Sequence, residues 1–170
     1  MCKTISDRFE FRTIRIGEEE QAVTIEQICF PPNEACKREH MLDRINRARE
    51  LFLVAIDKET GLIAGFFNGV ATNEEVFRDD FFTDISIHNP KGKNIMLLGL
   101  DVLPEYRMQG LARELVKRYM DKECENGREK AILTCLDEKV EMYKKMGFID
   151  DGIANSTWGG EEWHQMTYFL

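Results

Sequence analysis

The chain has 170 residues and a net charge of −8, with 31 acidic side chains against 23 basic ones. It therefore lacks the basic surface that supplies most of the affinity for nucleic acid. Its 43% hydrophobic and 32% charged content is that of a soluble globular chain, and its length favours one domain over residues 1–170.

The longest apolar runs, at 51–56 and 95–100, are too short to cross a bilayer, so no membrane partner is expected. Residues 1–7 carry no apolar export segment, which sets a cytoplasmic location as the expectation. Five cysteines (Cys2, Cys29, Cys36, Cys124, Cys135) lack C-x-x-C spacing and do not pair with the three histidines at ligand spacing. They read as reduced thiols, and no metal is expected. An acidic surface raises the local concentration of cations, which suits an amine substrate.

Apolar and polar side chains alternate over 9–16, which predicts a first strand. Gly17 then leads into Glu18, Glu19 and Glu20, acids that suit the positive end of a helix dipole. That helix is expected to stop at Phe30, before Pro31 and Pro32. Met41, Leu42, Ile45 and Ala48 form one apolar stripe on a second helix over 33–49. The apolar run 51–56, the turn 57–61 and the run 62–71 read as a hairpin. The connection 72–93, polar and rich in aromatics, is long enough for a functional loop or a short helix.

A strand over 94–103, a helix to about residue 122 and a buried strand at 130–136 follow. A short helix at about 139–146 and closing strands up to Leu170 complete the pattern. The predicted order, β-α-α-β-β-β-α-β-α-β-β, is a mixed α/β sheet with a parallel crossover.

One segment carries chemistry. The strand ends at Pro104, which cannot donate to a sheet ladder. Apolar residues then recur at Leu111, Leu115, Val116, Tyr119 and Met120, the spacing of an amphipathic helix. Gly110 opens that helix, where a residue of low helix propensity needs a reason. Close approach of a ligand to the backbone supplies one. A phosphate fits, because free N–H groups and the helix dipole point at the turn and Arg107 adds a cation.

Arg107-x-x-Gly110-x-Ala112 resembles the [Q/R]-x-x-G-x-[G/A] pyrophosphate loop of the GNAT superfamily of acyltransferases. Tyr143-x-x-x-Gly147-Phe148, after the strand ending near Cys135 and Leu136, is similar to a second signature of that superfamily. With Ile25-Glu26, Ile87-His88-Asn89-Pro90 and the closing segment at Met166, the chain looks like the arylalkylamine (serotonin) N-acetyltransferase branch.

The resemblance implies acetyl-CoA as co-substrate and a mixed sheet whose strands splay at the CoA site. It implies that the pantetheine arm lies along Leu100, Asp101 and Val102. The backbone N–H groups of Arg107, Gln109, Gly110, Leu111 and Ala112 are implied to hold the pyrophosphate, with Met108 in the same loop and Asp137 beyond the next strand completing the cofactor set. A small-molecule amine is the implied partner, and the chain is expected to act as a monomer or homodimer.

Acetyl transfer needs a neutral amine, whereas an aliphatic amine with a pKa of about 10.4 is protonated at pH 7. The family places a tyrosine hydroxyl near the thioester sulfur, which makes Tyr143 the candidate acid; packing of its ring between helix and sheet is the other reading. The branch carries two histidines where this chain has Met96 and Leu98, neither of which accepts a proton. Glu26 is the replacement base if it faces the splayed strands; otherwise it is a solvated helix residue. His88 and His164 are fallbacks. Phe30, Phe66, Phe67, Trp158 and Trp163 are candidates for an acceptor pocket. A peptide or protein amine, or acetyl-CoA binding without catalysis, are the alternatives to a small amine.

Overall fold

The structure, a computed structural model describing residues 1–170, begins with a single helical turn, α1 (Ile5–Arg8), capped by the Thr4 hydroxyl accepting from the Asp7 amide. There follow β1 (Phe9–Thr13), α2 (Glu19–Cys29), α3 (Arg38–Arg47), β2 (Phe52–Asp57), β3 (Ile63–Thr72) and the short α4 (Asp80–Thr83). The second half comprises β4 (Asn94–Val102), α5 (Leu111–Glu125), β5 (Lys130–Cys135), α6 (Val140–Lys145), β6 (Ile149–Ile153) and β7 (His164–Phe169).

The expected order of major elements is present, with α1 and α4 added and some ends moved. The second helix starts at Arg38 and not at residue 33. Residues 31–37 instead form a turn, in which the Cys36 amide donates to Glu26 Oε1 at 3.1 Å.

The strands make one mixed sheet in the order β1-β2-β3-β4-β5-β7-β6. β3 is buried along its whole length, so both of its faces are covered. On one face Ile25, Met41 and Ile45 of α2 and α3 pack on Phe52, Val54 and Phe66. On the other, Leu111, Leu115 and Tyr119 of α5 pack on Phe67 and Leu97. Each such side chain contributes about 1.5–3 kcal/mol by leaving water. Tyr119 also donates its hydroxyl to the Leu51 carbonyl at 3.0 Å, satisfying the one polar atom that this packing buries.

Two irregularities of β4 position the site. Its parallel pairing with β5 covers only Asn94↔Lys130, Ile95↔Ala131 and Met96↔Ile132, after which the strands part. The expected splay is therefore present, and it opens a gap at Leu97 to Val102. Opposite β3 the register shifts between Asn68 and Gly69, which pair with Gly99 and Leu97, so Leu98 is an extra residue. This bulge changes which residues face α5. Before it Ile95 and Leu97 join the α5 core; after it Leu100 and Val102 do, and Asp101 turns toward α2 and α3.

Candidate active site

A cavity of about 720 Å³ runs through the gap between β4 and β5. Its donor-side wall comprises Leu100, Val102, Arg107, Met108, Gly110, Leu111 and Ala112, faced by Leu133 to Leu136 and Tyr143. Its other end is lined by Glu26, Phe30, Glu34, Arg44, Phe82, Trp158 and Trp163.

The turn before α5 is built to receive an anion. Met108 holds φ +60° and Gly110 φ +84°, two left-handed residues flanking Gln109. For a non-glycine residue that conformation costs roughly 1–2 kcal/mol, and the Met108 side chain is fully exposed, so packing does not enforce it. Left-handed residues interspersed in such a turn aim successive N–H groups into one concavity. The amides of Met108, Gln109, Gly110, Leu111 and Ala112 have no acceptor within the protein. They also lie at the positive end of the 15-residue helix α5. The turn thus fits a pyrophosphate.

One expectation needs correction: the Arg107 amide is engaged, donating to the Pro104 carbonyl at 3.2 Å. The Arg107 side chain lines the cavity, fixed by Nε donating to the Val102 carbonyl at 2.9 Å beside the Cys29 thiol. The Gln109 side chain points out of the cavity. Its Oε1 accepts from Arg8 at 2.6 Å and its Nε2 donates to the Glu105 carbonyl at 3.2 Å, tying α1 to the turn. Asp137 does not line the cavity either; its carboxylate is 91% exposed and lies 3.2 Å from His164 Nε2.

Two substitutions probe this turn. Met108→Gly removes the strain but loosens the unfolded chain, so a net gain of about 0.5–1 kcal/mol is expected in thermal or urea denaturation. Gly110→Asp places a carboxylate among the amides and is expected to weaken CoA binding by roughly tenfold or more, read by isothermal titration. Equal affinity would remove the turn from the cofactor site.

Tyr143 sits on α6 with its ring edge-on to Phe148, 5.4 Å between centroids, and it lines the cavity. The ring packing and a place on the cavity wall thus coexist. Burial, and then the neighbouring Cys135 and Asp101, push its hydroxyl far above the usual phenol range, so it stays a neutral donor. Burial likewise pushes the Cys135 thiol up to about 12 and raises Cys29. Cys36, the third thiol lining the cavity, is pushed up by burial to about 11, so all three are held protonated and are poor nucleophiles.

Glu26 is not a solvated helix residue. It is 4% exposed, with Oε1 bonded to the Cys36 amide and Oε2 without a partner in the protein. Asp101 of β4, fully buried, brings a second carboxyl against it. Of the fallback bases, His88 accepts from the Ala71 amide through Nδ1 at 3.1 Å and faces Glu50 through Nε2 at 3.0 Å. His164 lies between Asp137 and Asp150. Neither lines the cavity.

The aromatic expectation holds for Phe30, Phe67, Trp158 and Trp163 but not for Phe66, which is buried against Phe52 beneath α2 and α3. Phe82, Glu34 and Arg44 were not legible as site residues. Phe82 arrives through the connection after β3 and lies 4.7 Å from the Trp158 ring. Trp158 Nε1 donates to the Glu34 carbonyl at 2.9 Å and Asn33 Nδ2 to the Gly159 carbonyl at 3.1 Å. These bonds strap the β6–β7 connection onto the turn between α2 and α3.

The sequence profile of the acetyltransferase (GNAT) family matches residues 19–148, which contain the turn, the splayed strands and Tyr143. The chain belongs to the GNAT acetyltransferase family. It is thus an acyltransferase of a family that uses acetyl-CoA or acyl-CoA. Solved GNAT structures share its fold over nearly their whole lengths. The loading GNATL domain of CurA from Lyngbya majuscula is 14% identical, with TM-score 0.82, 95% of this chain and 97% of that one covered. The GphF GNAT-like decarboxylase in complex with isobutyryl-CoA is 16% identical, with TM-score 0.77 and coverages of 94% and 98%. A chimera of spermidine N-acetyltransferase SpeG from Vibrio cholerae and hSSAT is 15% identical, with TM-score 0.69 and 95% of each chain covered. No curated protein sequence gives a significant match. No helix is long and apolar enough to cross a membrane.

Proposed function

We propose that this GNAT protein moves the acetyl group of acetyl-CoA to the primary amine of a small molecule, an arylalkylamine or another amine, by direct attack in a ternary complex. The observation that carries the reading is one cavity with two unlike ends. An anion-binding turn and a neutral tyrosine lie at one, and a buried carboxylate among aromatic rings lies at the other.

Each group has a role that its surroundings suit. The free amides of Met108 to Ala112 and the Arg107 side chain hold the pyrophosphate, and β4 at Leu100 and Val102, paired with β3 but parted from β5, faces the pantetheine arm. Glu26 accepts the proton that the ammonium must lose, directly or through a water. Tyr143 gives its proton to the departing thiolate. Direct attack is favoured over an acyl-enzyme because Cys29, Cys36 and Cys135, the thiols lining the cavity, are held neutral.

A protein acceptor needs an open groove, and the strap of Trp158 and Gly159 onto Glu34 and Asn33, which ties two of the loops at this end together, favours a small acceptor. Aromatic lining by Phe30, Phe82, Trp158 and Trp163 suits an amine with an apolar body. The likeness to the serotonin-type branch rests on Ile25-Glu26, Ile87-His88-Asn89-Pro90, the Met166 segment and the Tyr143 signature. With Met96 fully buried and Leu98 at the bulge, its histidine pair has no counterpart, and a carboxylate takes that place.

The test is thiol release from acetyl-CoA by the purified protein across a panel of arylalkylamines, diamines, amino sugars and N-terminal peptides. Acceleration by a small amine supports the reading. Acceleration by peptides alone transfers it to the protein class, and binding of acetyl-CoA with no acceleration by any amine overturns it.

A further inference from the structure

Glu26 is not alone in its site. The position that a Cβ on Gly99 would occupy lies 3.1 Å from Asp101 Oδ1, 3.3 Å from Asn68 Nδ2 and 3.7 Å from Glu26 Oε2. Three polar side chains, from β4, β3 and α2, therefore converge over the one residue that leaves them room. All three are at least nine-tenths buried. Both Asp101 oxygens, Glu26 Oε2 and Asn68 Oδ1 have no donor in the protein other than what the two carboxyls offer each other. Two bare carboxylates at such range, shielded from water, repel each other strongly unless a proton lies between them.

We propose that Asp101 is a positioning residue of the reaction: it shares a single proton with Glu26, and this pair, with Glu26 at the cavity wall, is the base that takes the proton from the amine. The proposal rests on the acetyltransferase reading for its chemistry but not for its geometry. Burial and the facing Glu26 hold the Asp101 carboxyl well above the usual carboxylate range. The other groups around the pair are Cys29 of α2, Cys36 of the following turn, Arg44 of α3, Arg107 beyond β4 and Tyr143 of α6. Among them Arg44, 3% exposed and with Nε unpartnered, faces Asp101 as the nearby cation.

Proton bookkeeping closes. The resting pair holds one proton; the form that has released it to solvent is the base, which accepts one proton from the ammonium and becomes the singly protonated pair again. The amine lone pair forms the C–N bond as the C–S bond breaks. The second nitrogen proton reaches the thiolate by way of Tyr143, and the pair returns its proton to solvent before the next turnover. A shared proton matters because a lone carboxylate is a weak base toward an ammonium, whereas a pair that resists its second ionisation is a stronger one.

The experiment has two arms. In the first, infrared difference spectra of the wild-type protein and Asp101→Asn are recorded at neutral pH in the absence of amine. The protonated carboxyl C=O band is expected in the wild type and expected to be missing in the variant. In the second, kcat/KM for an accepted amine is followed against pH. Asparagine is isosteric and donates an N–H to Glu26, so the ascending limb is expected to move at least one pH unit toward acid and the plateau to fall roughly tenfold. No carboxyl band in the wild type, or an unmoved limb in the variant, overturns the proposal. A band present with no amine acetylated leaves the pair standing and defeats the acetyltransferase reading; amine turnover without the band does the reverse.

Stability supplies a further readout with a fixed sign. A carboxyl raised by folding stabilises fully below its unfolded value of about 3.9, and that contribution is lost as pH rises through the folded value. Asp101→Asn is therefore expected to gain stability relative to the wild type as pH rises from 4 to 8; a constant difference between the two contradicts the shared proton.

Discussion

Replacing Glu26 with glutamine is expected to lower kcat/KM for the amine by roughly 10²–10³-fold while leaving the affinity for acetyl-CoA within about twofold. The size follows from the role: without a base, only the small fraction of amine that is already neutral reacts, and an aliphatic amine with a pKa of about 10.4 has about one part in 10³ neutral at pH 7. Glutamine is the informative choice because its carbonyl oxygen still accepts from the Cys36 amide, which keeps the turn between α2 and α3 in place. Alanine orphans that buried donor and confuses a folding defect with a catalytic one. A variant with unaltered kcat/KM, or one whose loss appears equally in acetyl-CoA binding, removes Glu26 from the base role.

Tyr143→Phe is expected to lower kcat by roughly tenfold or more with KM for acetyl-CoA little changed, within the range that general acids contribute. The ring contacts with Phe148 survive the change, and no protein acceptor for the hydroxyl is lost, so stability is expected to hold. Because the hydroxyl is buried and held neutral far above the physiological range, the wild type should show no loss of activity between pH 7 and 9 through ionisation of this group. Unaltered kcat in the variant assigns Tyr143 to packing alone.

Some of this site was legible in the sequence because local chemistry demanded it. A glycine opening an amphipathic helix after a proline-terminated strand has few explanations, and Gly110 at φ +84° shows that the turn needs a residue free to take a left-handed backbone. Glu26 was legible by elimination, since Met96 and Leu98 carry no proton acceptor, but its burial was not. Nothing in α2 reveals that Cys36 folds back to bind it. Residues 31–37 read as the start of a helix, because proline at a first turn and acidic Glu34 suit either a helix or the turn that forms.

The deeper omission was Asp101, read as a backbone contact beside Leu100 and Val102. Strict alternation along β4 cannot give the true facing of its two halves, because Leu98 inserts one residue and reverses the phase. Only the register against β3 shows that Asp101 turns toward Glu26. Phe82 and Arg44 escaped notice for a related reason: they reach the cavity through long-range packing of α3 and α4, which leaves no local pattern. Met108 read as an indifferent position in the loop, yet it carries the one left-handed non-glycine backbone in the chain.

The most direct measurement follows the acetyl group itself. Protein, acetyl-CoA labelled with ¹³C in the acetyl carbonyl and an amine found active in the panel are mixed, and the products and the intact chain are read by NMR and mass spectrometry. Label in an amide bond on the amine, formed in step with free CoA and with the mass of the chain unchanged throughout, is the expected result. Label retained on acetyl-CoA, released only as acetate, or carried on the chain before it reaches the amine contradicts direct transfer by this cavity.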